Sequence, residues 1–134
     1  MEVFMKLKRV GNYKELKHGD KQGESLYKLM SAVPCLNEDK IISYLKSGRV
    51  FCTSASLAYD VLSKDEIIID ELYILTDGVW SWPSDLAYYI KKYHITIDKN
   101  FICHMENNAW TINRDVIDLV ELERRNFPRQ HSNV

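Results

Sequence analysis

The chain has 134 residues, of which 46% are hydrophobic and 28% are charged, and its formal net charge is −1. This composition is typical of one globular domain. A chain of this length can bury enough surface to fold without disulfides. The first residues lack the apolar core of a signal peptide, and no apolar run reaches the roughly 20 residues of a membrane helix. The sequence therefore predicts a cytoplasmic protein that does not contact a membrane.

The cysteines and histidines predict neither a disulfide framework nor a metal site. Cys35, Cys52 and Cys103 are odd in number and form no C-x-x-C pair, so we expect reduced thiols that are buried as small hydrophobic side chains. The four histidines lack the H-x-x-x-H and H-E-x-x-H spacings of zinc sites. Gly19–Gly23 lacks the pattern of a phosphate-binding loop. No cofactor is expected.

In the first half of the chain, breaks in the hydrophobic pattern separate short elements. We predict a strand over Phe4–Val10, a helix over Glu24–Ala32, a helix from Asn37 to Gly48 and a strand over Arg49–Thr53. Asn37 is the predicted N-cap of the second helix, and Gly48 is its predicted C-terminal glycine. The stretch 54–63 fits no single period and stays open.

The middle of the chain predicts a β-hairpin around Asp77-Gly78. Strands are predicted over Glu66–Ile69 and Glu71–Thr76, with Val79–Trp82 as the return strand. Asp-Gly favours a type I′ turn, which needs positive φ at both central residues. Because strand side chains alternate, Trp80 and Trp82 point to one side. Core packing over the helix that follows is the simpler interpretation, and an exposed binding platform is the alternative.

Three further helices are predicted after the hairpin. Ser84 is the predicted N-cap of the first one, whose core face repeats at i, i+3, i+4 and i+7 while Tyr88 and Lys92 point elsewhere. Asp98 and Asn113 are the predicted caps of the other two, and Asn107-Asn108 ends the second. The residues that carry the three apolar faces are Leu86, Tyr89, Ile90, Tyr93, Phe101, Ile102, Met105, Val116, Ile117, Leu119 and Val120.

These elements together predict an α+β fold. Its predicted core is a small antiparallel sheet with the hairpin at Asp77-Gly78, flanked by four or five helices. We interpret residues 1–134 as one domain, with residues 1–23 and 124–134 as flexible ends.

The sequence contains no recognisable catalytic motif. Ser54 and Ser56 lie near a strand end without a G-x-S-x-G elbow. Cys103 and His104 are adjacent on a helix and point about 100° apart, so we expect a buried cysteine beside an exposed histidine. The sequence therefore predicts that the protein is not an enzyme.

Charge is distributed unevenly along the chain. Residues 1–49 contain ten Lys and Arg against six Asp and Glu, whereas residues 50–85 contain one lysine against seven acids. Two explanations fit this acidic block equally well: a solvated acidic face, and a surface that binds a basic partner. Asp77 and Asp85 are assigned to the turn and the helix start, and the other five acids are Asp60, Asp65, Glu66, Asp70 and Glu71.

A family likeness adds a functional expectation. The pattern of Asp77-Gly78, Trp80, Trp82, the run from Asp85 to Tyr89, Tyr93-His94, Phe101 and His104-Met105 resembles a set of small bacterial proteins. Those proteins are similar to immunity proteins, which protect a cell from its own polymorphic or contact-dependent growth-inhibition toxin. The likeness covers roughly residues 41–110, and the first 40 residues lie outside it as a separate addition. It implies a cytosolic binder and carries over no functional residue.

The predicted partner is therefore a toxin domain with a basic surface, such as a nuclease, and direct binding of nucleic acid is not expected. The predicted contact residues are Asp60, Asp65, Glu66, Asp70 and Glu71, with Tyr59 and Tyr73 as anchors. The main alternative is a small hydrolase or nuclease with a site of scattered His, Tyr and acidic residues, which a deep pocket lined by His94 or His104 and a carboxylate with a shifted pKa would favour. A nucleic-acid-binding module that uses the basic first half is a third hypothesis.

Overall fold

The computed structural model describes residues 6–126 and confirms the predicted α+β class. This part of the chain contains five helices, one 3₁₀ turn and four strands. In order, the elements are β1 Lys8–Arg9, α1 Leu26–Leu29, α2 Glu38–Lys46, β2 Arg49–Tyr59, β3 Ile68–Thr76, β4 Trp80–Pro83, α3 Leu86–Tyr93, α4 Lys99–Asn107, the 3₁₀ turn Arg114–Val116 and α5 Leu119–Asn126.

The sheet is mixed, with strand order β1-β4-β3-β2, and is not wholly antiparallel as predicted. The strands β2, β3 and β4 form an antiparallel meander, but β1 pairs in parallel with β4 through Lys8 opposite Trp80. This pairing holds the N-terminal segment against the hairpin. Residues 6–23, predicted to be flexible, accordingly contribute Tyr13 and Leu16 to the core. The beginning of the predicted strand Phe4–Val10 and residues 127–134 lie outside the described residues.

The strand β2 is much longer than the predicted Arg49–Thr53. Thr53 pairs with Tyr73 and Leu57 pairs with Glu71, so residues 54–56 oppose the single residue Leu72. Such a bulge shifts the side-chain alternation, which explains why residues 54–63 fit no single period. The two strands predicted around Asp70 are one continuous strand, β3.

The core is organised by the aromatic side chains of β4. Trp80 stacks on Phe101 of α4 with ring centroids 4.7 Å apart, and Trp82 lies 5.4 Å from the same ring. On its other side Trp82 contacts Tyr44 of α2, and its Nε1 donates a hydrogen bond to the Leu45 carbonyl at 3.1 Å. Both tryptophans are buried, so the prediction of core packing is confirmed and the exposed platform is wrong. Their ring partners belong to α2 and α4 rather than to α3.

The turn at Asp77-Gly78 is present, but it is not of type I′. Gly78 has φ of +100°, whereas Asp77 and Val79 have no positive φ, so the two consecutive positive φ values of a type I′ turn are absent. Asp77 instead accepts hydrogen bonds through Oδ1 from the N–H groups of Val79 and Trp80. The carboxylate therefore fixes the turn through its side chain.

Two predicted helix ends also differ from the structure. Ser84 does not cap α3: its Oγ accepts from the Tyr73 N–H and donates to the Glu71 carbonyl, so it ties the helix start to β3. Asp85 occupies the N-cap position instead. Gly48 follows α2 without a positive φ, and a Cβ there would lie 2.7 Å from Trp82 Cζ2. Close packing, and not helix termination, requires this glycine.

Of the remaining predicted helix ends, some are confirmed and others differ from the structure. Asp98 caps α4 as predicted, with its side chain accepting from the Asn100 N–H, and α4 ends at Asn107. Asn37 is the N-cap of α2 but has φ of 65° and makes no side-chain cap bond. Asn113 caps the 3₁₀ turn, and the last helix begins later, at Leu119.

Several predictions of burial are wrong. Val116 and Val120 are 74% and 76% exposed, although Ile117 between them is buried. Cys52 and Cys103 are exposed and Cys35 is half-buried, and all three are without a disulfide. Among residues 6–126, no helix has the length and apolar character needed to cross a bilayer.

The contact between Gly48 and Trp82 can be tested by adding one methyl group. We expect Gly48→Ala to destabilise the protein by about 1–3 kcal/mol, because overpacking forces the indole to move. Ser43→Ala, at an exposed position of α2, is the control and should change stability by less than about 0.5 kcal/mol. Urea unfolding measures both, and equal stability of the two variants would contradict this role of Gly48.

Candidate functional site

The predicted acidic block divides into buried and exposed carboxylates. The side chains of Asp60, Asp77 and Asp85 are 0%, 2% and 1% exposed. The remaining four acids of the block are exposed: Asp65, Glu66, Asp70 and Glu71. The prediction that all five residues from Asp60 to Glu71 form one contact surface is therefore corrected at Asp60.

Asp60 is enclosed by hydrogen-bond donors of α3 and its own loop. Its Oδ2 accepts from the hydroxyls of Tyr88 and Tyr93, both at 2.7 Å, and from Lys92 Nζ at 3.1 Å. Its Oδ1 accepts from the Leu62 N–H at 2.9 Å. The prediction that Tyr88 and Lys92 point away from the helix core is consistent with this arrangement. We call these five residues the Asp60 clasp.

Hydrogen bonding keeps Asp60 ionised in spite of its burial. Burial opposes ionisation, but the hydrogen bonds from Tyr88, Tyr93, Leu62 and Lys92 outweigh it and hold the pKa of Asp60 below its ordinary value. The bonds to Tyr88 and Asp60 raise the pKa of the Lys92 ammonium. The clasp is therefore a set of charge-assisted bonds between α3 and the end of β2.

A further tyrosine of α3 fastens the same segment through its backbone. The Tyr89 hydroxyl donates to the Tyr59 carbonyl at 3.0 Å and accepts from the Val61 N–H at 3.1 Å. Burial, followed by the neighbouring carboxylates, raises the pKa of Tyr89. The loop between β2 and β3 thus begins at a fixed position on α3.

The four exposed acids lie beyond this attachment. Within residues 6–126, none of them is in ion-pair distance of a basic side chain. Asp70 and Glu71 are consecutive on β3, and Asp70 Oδ1 accepts from the Glu71 N–H. Tyr73 is half-buried nearby, and the charges of Glu71 and then Asp70 raise the pKa of its hydroxyl. Negative charge therefore accumulates at this end of the sheet.

Exposed apolar side chains accompany these acids. Leu57, Tyr59 and Ile68 are 45%, 41% and 55% exposed, and Tyr59 and Ile68 are directly paired between β2 and β3. The acidic end is defined here as Leu57, Tyr59, Asp65, Glu66, Ile68, Asp70 and Glu71. Leu57 and Ile68 are not among the contact residues predicted from the sequence. A signal for Ile68 exists in the run Ile67–Ile69, because alternation in a strand turns its middle residue to the opposite face.

A groove of about 420 Å³ adjoins the acidic end. One wall contains Tyr59, Asp65 and Glu66, and the other contains Leu16, Lys17 and His18 of the N-terminal segment. The His18 ring lies over the start of α3, with Nε2 3.1 Å from Asp85 Oδ2 but without hydrogen-bond geometry. Residues of the N-terminal segment thus form part of the groove.

Histidines and acids also meet at the opposite end of β3. His104 Nε2 lies 3.0 Å from Asp77 Oδ2, which also accepts from the Tyr44 hydroxyl at 2.5 Å. These three side chains line a pocket of about 300 Å³. His104 is half-buried and Cys103 is exposed, the reverse of the prediction for this pair. His94 instead contacts Glu38 at 2.9 Å, between the ends of α3 and α2.

Comparisons with known proteins give no match: no protein-family model, curated protein or solved structure is similar to the chain. Among residues 6–126, no group of three or more His, Cys, Asp or Glu side chains is arranged to hold a metal ion.

The Asp60 clasp predicts acid-sensitive stability. Asp60 has a lower pKa in the folded protein than in the unfolded chain, so its stabilisation is present above the unfolded pKa, near 4, and is lost as the pH falls. At pH 7 we expect Asp60→Asn to lower the free energy of unfolding by about 1–3 kcal/mol. The difference from wild type should shrink below about pH 4.

Urea unfolding at pH 3, 5 and 7 measures this dependence. The control is Asp65→Asn, which removes an exposed acid of the same loop and should change stability by less than about 0.5 kcal/mol at pH 7. A pH-independent loss in Asp60→Asn would contradict the assignment of an ionised, hydrogen-bonded Asp60.

Proposed function

We propose that the protein is an immunity protein that binds and neutralises the toxic C-terminal domain of a bacterial effector, with the acidic end as the contact surface. The observation that carries the proposal is the presence of four exposed carboxylates, which form no ion pair with another residue of 6–126, at the same end of the sheet as three exposed apolar side chains. The resemblance of residues 41–110 to small bacterial proteins that are themselves similar to immunity proteins points to the same function.

The acidic end has the composition of a protein-binding surface. Interfaces commonly have an apolar centre and a polar rim, and tyrosine is enriched among the residues that dominate binding energy. Tyr59, Leu57 and Ile68 would form such a centre, and Asp65, Glu66 and the pair Asp70–Glu71 such a rim. This arrangement favours a partner surface with apolar contacts surrounded by Lys and Arg.

A basic partner surface is the chemistry expected of a nuclease toxin. Nucleases bind a phosphate backbone with Lys and Arg, and an acidic protein competes for the same groups. Complementary charge mainly increases the association rate, whereas buried apolar contacts mainly decrease the dissociation rate. The proposed mechanism is therefore occlusion of the toxin's active or substrate-binding surface.

Co-expression with the toxin domain encoded beside this gene tests the function. We expect the domain to stop growth when it is produced alone and to be tolerated when this chain is produced with it. The purified pair should form a complex with a dissociation constant on the order of nanomolar. Growth arrest that persists at equal expression of both proteins would contradict the proposed function.

Charge reversal of three exposed acids tests the proposed contribution of electrostatic attraction to binding. We expect Glu66→Lys/Asp70→Lys/Glu71→Lys to lower the association rate by about ten-fold at low salt and to flatten its salt dependence. The matched control is Glu106→Lys/Asp115→Lys/Glu123→Lys, which reverses three exposed acids outside the acidic end. Stopped-flow binding measures both variants, and equal effects would show that net charge, not the acidic end, controls association.

Truncation of the apolar centre tests the proposed contribution of apolar contacts to binding. We expect Tyr59→Ala and Leu57→Ala each to raise the dissociation rate by about ten-fold or more while leaving the association rate nearly unchanged. Tyr27→Ala is the control, because Tyr27 is an exposed aromatic residue of α1. Unchanged dissociation in both test variants would place the apolar centre of the interface elsewhere.

A further inference from the structure

A second surface of interest lies at the β3–β4 turn, at the other end of β3 from the acidic end. The nine residues of β3 separate the two by roughly 25 Å at the rise of an extended strand. The turn pocket, of about 300 Å³, is defined by Tyr44, Asp77, Val79, His104, Asn108, Thr111, Ile112, Asn113 and Val116. It takes residues from α2, the β3–β4 turn, α4 and the chain that follows α4.

The pocket combines a polar base with an apolar rim. Tyr44 and the Asp77 side chain are almost fully buried, whereas Val79 and Val116 are 42% and 74% exposed. Ile112 is a further, half-buried apolar residue of the lining. Exposed valines beside a cavity with convergent polar groups are typical of small-ligand sites.

The polar base is fixed by one carboxylate. Asp77 Oδ1 accepts from the N–H groups of Val79 and Trp80, and Oδ2 accepts from the Tyr44 hydroxyl and from His104 Nε2. A carboxylate only accepts, so His104 Nε2 donates to Asp77 and cannot also accept from Asn108 Nδ2, which lies 3.2 Å from it. Burial, and then Asp77, raise the pKa of Tyr44, which keeps it a neutral donor.

The backbone after α4 adds a strained segment to the rim. Ala109 and Trp110 are consecutive non-glycine residues with φ of 53° and 61°. Their N–H groups donate to the Glu106 and Met105 carbonyls, and Lys40 lies 5.8 Å over the Trp110 ring. Backbone strain of this kind persists where the surroundings enforce it, and it is common at binding sites. Here it brings Asn108 and Thr111 to the pocket.

We propose that the turn pocket binds a small uncharged molecule that has an amide or hydroxyl group on an apolar ring. A cation finds no unoccupied lone pair on Asp77, because its four acceptor positions are filled. An anion meets the charge of the same carboxylate. A neutral polar group can hydrogen-bond to the Asn108 amide and to the Thr111 hydroxyl, which donates to the Asn108 carbonyl and can still accept, while an apolar ring packs on Val79 and Val116.

Three probes of nearly equal size distinguish a neutral ligand from an anion and from a cation: benzamide, benzoate and benzylammonium. In ¹H–¹⁵N spectra of the full chain at pH 7, we expect benzamide to shift the amides of residues 77–79 and 108–113. Its dissociation constant should be on the order of a millimolar, the range for a ligand of this size. The two charged probes should bind at least about ten-fold more weakly.

A matched pair of variants tests the location. Val116→Asp adds a charge to the rim, and we expect it to weaken benzamide binding by about five-fold or more. Val120→Asp changes an equally exposed valine outside the lining and should leave binding unchanged. Equal binding of the three probes, shifts centred on the acidic end, or equal effects of the two variants would each overturn the proposal.

Discussion

The packing of Trp80 and Trp82 against Phe101 and Tyr44 is the constraint on which the rest of the structure depends. The strand β4 has four residues, yet these rings connect it to α2 and α4, and β1 and β3 pair with its two edges. Each such aromatic contact contributes about 0.5–1.5 kcal/mol beyond the area that it buries. Because the Tyr44 hydroxyl reaches Asp77, the same cluster also positions the turn between β3 and β4.

Buried carboxylates fasten the connections around this core. Asp60 attaches the end of β2 to α3, Asp77 joins the hairpin turn to α2 and α4, and Asp85 lies beneath His18 of the N-terminal segment. A buried carboxylate without donors costs several kcal/mol, so Asp60 and Asp77 are each surrounded by four hydrogen-bond donors. Three of the seven acids in residues 50–85 are thus buried, although the Asp85 carboxylate accepts no hydrogen bond from residues 6–126, and the negative surface is smaller than the charge of the sequence suggests.

The sequence was informative wherever a local pattern determined the structure. The helical spacing of Leu86, Tyr89 and Ile90 correctly predicted a buried face, and Asp98 correctly predicted a helix start. Two other features depend on contacts that no local pattern encodes. The parallel pairing of β1 involves two residues, and the bulge opposite Leu72 interrupts the alternation of β2.

The candidate site was predictable only in part, for the same reason. Asp65, Glu66, Asp70 and Glu71 are exposed, but the burial of Asp60 depends on donors from Tyr88 and Tyr93, about 30 residues away along the chain. Ser84 was assigned to a helix cap by its position, whereas tertiary contact with β3 gives its hydroxyl other partners. Side-chain hydrogen bonds between distant segments decide such cases, and residue type alone does not report them.

The Asp60 clasp links the stability of the fold to the proposed binding surface. A partner binds less tightly to a surface loop that becomes ordered only on binding, because the loop must lose conformational entropy at that step. The bonds from Tyr88, Tyr89 and Tyr93 fix the start of the loop before any partner arrives. The hydroxyl groups of α3 therefore fix the position of Tyr59, at the edge of the proposed contact surface, through bonds to the backbone and to Asp60.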